Sequence, residues 1–308
     1  MFVSRPLMNT KLLLALPLLT CLIFVSYSQK PAAKAKATSK SVVFAVLDDG
    51  KRIEPIVSVE NGKIVESIGE GEAAAKTWSS RNYKPKTVYP VIFGGAFDGG
   101  VTVIKSNIGT ECGGSSAETS LKPANPKLRG LVMALATDLK PKEGSTSYRR
   151  RPTPAERTEL EKLVRDEFTK QGVTPAPLKN LRYHNLTALD LNGDDVAEFV
   201  GSFWIAPTPK ERRLLFFIAE RAADEKLSFP VSDYSAVKPD DVMSGEVADL
   251  DTGVGHELLL DVLDIDGDGV KEIFTVGKAF EGNNYYVYKR AAGKWARVHE
   301  GYSYRCAF

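Results

Sequence analysis

Short apolar runs separated by turn residues dominate this chain. Between 41 and 140 they fall at 41–47, 56–60, 63–66, 88–93, 101–105 and 131–136. Runs of this length, rich in Val, Ile and Phe, predict β-strands. Asn61-Gly62 between two of them signals a hairpin, because both central residues of the tight turn take positive φ. The stretch Gly94 to Gly100 predicts a second hairpin turn. Segment 141–152 is rich in Pro, Gly, Ser and Arg and reads as a linker between two halves. Its Arg149-Arg150-Arg151 fits a solvated linker better than a grip on an anionic partner.

The pattern then changes period. Over 153–171, Leu160, Leu163, Val164 and Phe168 form one apolar stripe. Thr153 and Glu156 are spaced as a capping box, Pro154 suits the first helical position and Gly172 ends the segment, so one prominent helix is predicted. Apolar runs return at 181–189, 196–205, 213–220, 257–265, 270–276, 284–289 and 295–299, most followed by acidic, Gly-containing turns. The expected fold is mainly β with one prominent helix (α+β), in antiparallel blade-like sheets; the alternative is an incomplete or irregular β-propeller. The expected organisation is 41–140, a β-rich region; 141–152, the linker; and 153–308, helix plus β.

The opening residues alter this picture. Arg5 and Lys11 precede an apolar run over 12–25, too short to span a bilayer, with Ser26 and Ser28 at the spacing a signal peptidase reads. Residues 1–28 are therefore an expected export signal, and the Pro, Ala and Lys-rich 29–40 a flexible leader. Two rival readings are acylation at Cys21 and an uncleaved membrane anchor. The signal holds two of the 41 basic residues and no acidic one, so 39 basic residues face 39 acidic ones after cleavage. That balance gives no field for nucleic acid, and no stable membrane span is expected after cleavage. The expected location is periplasmic, cell-surface or extracellular. Cys112 and Cys306 are then the remaining cysteines. In an oxidising compartment they are a candidate disulfide closing a loop worth about 5 kcal/mol, the alternative being two separate buried thiols.

The candidate chemistry lies in the acidic turns. Asp264-Ile265-Asp266-Gly267-Asp268-Gly269-Val270-Lys271-Glu272 spaces its carboxylates as D-x-D-x-D-G-x-x-E. A hard cation takes six to eight oxygens at about 2.4 Å, and carboxylates at alternate positions converge when the loop curls. Asp264, Asp266, Asp268, Glu272 and the Val270 carbonyl are the expected Ca2+ ligands. The EF-hand reading fails, because Thr275 stands where the twelfth-position Glu belongs and the flanks are strand-like. A second, weaker copy starts at Asp190, with Asn192, Asp194, Val196 and Glu198 as ligands and Asp195 where the curl prefers Gly. A degenerate third copy, 249–257, has Gly253 at position five and is expected to bind nothing.

At these residues the chain resembles the FG-GAP repeat family, also called VCBS repeats and found in integrin α-chain propellers. The matching segments, 190–203 and 249–289, cover about a fifth of the chain. The resemblance implies calcium held in β-hairpin loops, where it stiffens a blade and rarely joins catalysis. At about 40 to 60 residues per blade the exported chain has room for at most about five.

Little else suggests catalysis. His184, His256 and His299 stand in no H-E-x-x-H motif, and G-x-S-x-G and C-x-x-C are missing. Tyr285, Tyr286, Tyr288, Trp295, Tyr302 and Tyr304 gather with Arg297 and Arg305 near the C-terminus. Such a set either packs a strand or, if exposed, stacks on sugar rings or peptide. The expected function is an exported, non-catalytic calcium-binding β module that binds a protein or glycan at the cell envelope or surface. The alternatives are a secreted hydrolase with an unrecognised active site and a purely structural envelope protein.

Overall fold

A computed structural model describes residues 40–122, 133–140, 148–222, 224–242, 247, 255–279 and 281–306. The export signal, nearly all of the leader, most of the third acidic copy and residues 141–147 lie outside these.

Antiparallel strands make up most of the fold. The first sheet holds β1 (Lys40–Leu47), β2 (Arg52–Glu60), β3 (Lys63–Val65), β4 (Val88–Phe93), β5 (Ala96–Ser106), β6 (Ala117–Lys122) and β7 (Ala134–Thr137). Its order is β1-β7-β4-β5-β6-β2-β3, and β1 also pairs with β2, so the ladder curls back on its first strand. The second sheet has five strands, β8 (Arg149–Arg150), β9 (Arg182–Leu189), β10 (Glu198–Thr208), β11 (Glu211–Arg221) and β12 (Leu227–Val237). The third is a four-stranded meander, β13 (Glu257–Leu263), β14 (Glu272–Ala279), β15 (Gly282–Ala291) and β16 (Lys294–Tyr304). The whole is a stack of antiparallel sheets.

The helices are α1 (Glu72–Asn82), α2 (Pro154–Lys170) and the short α3 (Pro175–Leu178). In α2 the capping box forms: Glu156 N donates to Thr153 Oγ1 at 3.3 Å, and Thr153 N to Glu156 Oε2 at 2.6 Å. Leu160, Val164 and Phe168 are buried on the five-stranded sheet with Phe199, Phe203, Leu215 and Phe217. Helix α1 is an addition to the sequence reading, and its Trp78 and the following Tyr83 pack on Phe44 on one face of the first sheet.

Strands β13 and β14 of the four-stranded sheet are buried on both faces. Leu258, Leu260, Phe274, Val276, Tyr285 and Val287 pack against Val43, Ala45, Val57 and Leu135 of the first sheet. Leu259, Val262, Ile273 and Tyr288 pack the other way, against Val200, Phe216 and Ile218 of the five-stranded sheet. A bulge between Leu259 and Asp261 turns both Leu260 and Asp261 toward the first sheet. The two halves separated in the sequence reading thus share a core.

Two carboxylates buried at this junction, Asp261 and Glu54, accept hydrogen bonds from distant parts of the chain. Asp261, 0% exposed, accepts from Gly94 N at 2.9 Å, Gly95 N at 3.1 Å and Arg149 Nη1 at 2.8 Å. Burial raises its carboxyl, opposed by Arg149 and the backbone donors. The β4–β5 turn is only Gly94-Gly95, at φ 63° and 77°, because β5 begins at Ala96 and absorbs most of the stretch read as a loop. Arg149 and Arg150 are partly buried and ion-paired, not free in solvent: Arg150 grips Glu156 bidentately at 2.7 and 2.8 Å and holds that carboxyl down at about 2. Glu54, also fully buried, accepts from Tyr285 Oη and Asn283 Nδ2 and lies 3.4 Å from Arg305 Nε. Arg305 is held by its neighbour, because Cys306 is disulfide-bonded to Cys112 across 194 residues.

The Asp261 junction predicts an asymmetry. Asp261→Ala leaves two turn N–H groups without an acceptor and strips Arg149, which keeps only the Leu260 carbonyl, of its counter-charge; it should cost about 3–5 kcal/mol by urea unfolding. The double variant Arg149→Met, Asp261→Leu should recover part of that loss, and equal losses in both would refute the pairing.

Candidate metal loops

The two acidic sequences both connect paired strands, β9 to β10 and β13 to β14. Alternating Asp and Asn side chains compete for backbone N–H groups two to five residues ahead, which curls the loop without a helix. Gly193 N and Gly267 N donate to Asp190 Oδ1 and Asp264 Oδ1, both at 2.7 Å. Asp195 N and Gly269 N reach Asp190 Oδ2 and Asp264 Oδ2 at 3.3 and 3.1 Å. Asp194 N and Asp268 N donate to Asn192 Oδ1 and Asp266 Oδ1 at 3.2 and 3.4 Å. Val196 N and Val270 N donate to Asp194 Oδ1 and Asp268 Oδ1, both at 2.8 Å. Leu191 N and Ile265 N donate to Glu198 Oε2 and Glu272 Oε2, both at 2.9 Å. Five corresponding bonds agree within 0.2 Å, so the weaker copy is built like the stronger. Asp195 adopts φ 63° where Gly269 sits at 94°, the left-handed region that its side chain makes costly.

Asp264, Asp266 and Asp268 each bring a carboxylate oxygen within 4.8 Å of the others. Glu272, buried, closes the loop from the start of β14. The donor set suits a hard cation, being all oxygen and strongly anionic. Another cation already approaches it: Lys289 Nζ lies 2.6 Å from Asp266, 3.0 Å from Asp268 and 2.8 Å from Glu272. Burial works against its charge, but bonds to Asp266, Glu272 and Asp268 outweigh that and raise its pKa. Burial likewise raises Glu272, opposed by Ile265 N and Lys289. In the other loop, burial with Asp194 and Asp190 nearby pushes Glu198 up to about 7. The loops touch through Lys271, whose N donates to the Leu191 carbonyl and whose Nζ donates to the Asp190 carbonyl, both at 2.7 Å.

The remaining candidates scatter. Tyr285 and Tyr288 are core residues, 1% and 2% exposed, whereas Tyr302 and Tyr304 stand out on β16 at 57% and 53%. Tyr286 lies under the Arg297 guanidinium at 4.3 Å, and Trp295 donates to Glu220. His184 and His256 form a ring contact at 3.9 Å, and burial lowers the pKa of His299. His256 and Glu257, the described end of the third copy, line a cleft of about 240 Å³ between the second and third sheets, with Ser202, Asp233, Lys278 and Tyr286. Arg297 serves both its carboxylates, at 3.0 Å from Asp233 and 3.7 Å from Glu257. Among the described residues no helix is long and apolar enough to cross a membrane.

Comparison with known proteins returned nothing: no family model matches the chain, and no curated protein or solved structure is significantly similar to it. Function must therefore be argued from the loops themselves.

Glu257 yields a pH prediction. Burial pushes its carboxyl up to about 7, against donors from Thr275, Tyr288 and the charge of Arg297. The proton is held more tightly in the folded state, so this contribution is full below the ordinary carboxylate range and is lost as pH rises through 7. Relative to Glu257→Gln, the wild type should lose up to about 3 kcal/mol between pH 4.5 and 8. Urea unfolding across that window checks it, and parallel stability curves would refute it.

Proposed function

We propose that this is an exported, non-catalytic calcium-binding β module, with loops of the FG-GAP type, that binds a protein or glycan at the cell envelope or surface. The observation that carries the metal part is the convergence of Asp264, Asp266 and Asp268 on a common centre. The near-identical bond pattern around Asp190, Asn192 and Asp194 extends it to a second loop. Glu272 and Glu198, with the backbone carbonyls of Val270 and Val196, complete each proposed ligand set. Calcium would supply positive charge to groups that otherwise repel one another or must take up a proton.

Each loop joins the first two strands of a four-strand antiparallel run, the size of a propeller blade. The proposed role of the ion is to stiffen that corner so that the neighbouring sheet edges keep their shape. Export is supported by the opening sequence and by the Cys112–Cys306 disulfide, which an oxidising compartment preserves. The exposed Tyr302 and Tyr304 on β16 are the proposed contact for the partner.

Calcium titration tests the reading. At a hundredfold excess over its dissociation constant, one site adds about 2.7 kcal/mol of stability. Wild type should melt higher in calcium than in chelator. Asp264→Ala and Asp190→Ala should each remove part of that gain, and the double variant all of it. Identical melting of wild type in calcium and in chelator would end the metal proposal.

A further inference from the structure

The chain repeats one plan: strand, acidic loop, then three more antiparallel strands, over β9–β12 and again over β13–β16. Aligned on the loops, Glu198 corresponds to Glu272. The ladders then fix what lies opposite each on the neighbouring strand. Phe199 pairs with Ala219, and Ile273 pairs with Tyr288. One step further along, Glu198 faces Glu220 and Glu272 faces Lys289. A single register position thus carries opposite charges in the two copies.

The surroundings of each loop follow from that difference. Lys289 spends all three ammonium protons on its loop, one each on Asp266, Asp268 and Glu272. Glu220 is instead bonded by Arg290 and Trp295 of the other copy. Lys271 reaches the Asp190 loop through a backbone carbonyl only. Among the described residues no lysine or arginine is ion-paired with Asp190, Asp194 or Glu198.

We propose that Lys289 is the resident cation of the Asp264 loop, and that a divalent ion enters there by displacing its ammonium, whereas the Asp190 loop takes the ion directly. This rests on the calcium reading above and adds the regulation of the same site. Charge drives the exchange: Asp264, Asp266, Asp268 and Glu272 present four carboxylates, of which one ammonium offsets a single charge and a dication two. The cost is breaking three charge-assisted hydrogen bonds. Despite its fuller set of carboxylates, the Asp264 loop therefore fills at higher calcium than an equivalent loop without the lysine, and it keeps its shape when calcium is scarce.

Two measurements on the full mature chain test this. In an Asp190→Ala background, which isolates one loop, Lys289→Met should tighten calcium binding roughly tenfold by calorimetry. In the wild type, amine-reactive labelling read by mass spectrometry should find Lys289 protected in chelator and several-fold more reactive in saturating calcium. Unchanged affinity in the variant overturns the exchange. So does equal labelling of Lys289 in both conditions while calorimetry on the same sample records binding at the Asp264 loop, a result that stands even if Lys289→Met does not fold. Absence of calcium binding in wild type, Asp190→Ala and the Lys289 variant together is a different outcome: it overturns the calcium reading, and the exchange with it.

Discussion

A strand that reads Leu258-Leu259-Leu260-Asp261-Val262-Leu263 has no solvent face to offer, and β13 must lie between two layers. Burying apolar surface on both sides is what joins the first sheet to the five-stranded sheet, with the meander as shared filling. The single carboxylate within that run is then the constraint. Carried into a water-free junction, it is tolerable only where donors wait for it, and Gly94 N, Gly95 N and Arg149 meet it from two distant parts of the chain. The layering and the long-range ion pair are consequences of one short sequence.

The acidic loops, one in the meander and one in the five-stranded sheet, face the opposite problem. They crowd carboxylates at the surface, and each copy settles its charge differently. One has a lysine across the ladder; in the other, burial with Asp194 and Asp190 nearby raises the Glu198 carboxyl. Backbone curl and charge compensation are separable properties, since five matched hydrogen bonds persist while the facing residue reverses sign.

Much of this was legible beforehand, for reasons that particular residues show. Asn61-Gly62 takes φ 54° and 73°, as a two-residue hairpin demands, and the loop spacing marks both curls. Other elements left weaker traces. Helix α1, Glu-Ala-Ala-Ala-Lys-Thr-Trp-Ser-Ser-Arg-Asn, has Trp78 as its one large apolar residue and no side-chain cap at Gly71, so no stripe announces it. Strand β12 is largely exposed, and β6 is polar along Glu118, Thr119 and Ser120; both are recruited by neighbours instead of declaring themselves. Lys289 was invisible because its significance is a matter of register across strands, seventeen residues from the glutamate it meets.

The Gly94-Gly95 turn carries one more implication, for how freely this sequence can vary. Both residues hold left-handed backbone, both N–H groups are committed to Asp261, and a methyl group on Gly95 would fall 2.7 Å from the Lys271 side chain. Lys271 in turn is tethered to the Asp190 loop. A substitution at this turn is therefore coupled to Asp261, 167 residues downstream of Gly94, and to Lys271 just beyond it, and divergent relatives should be expected to change these places together or leave all of them alone.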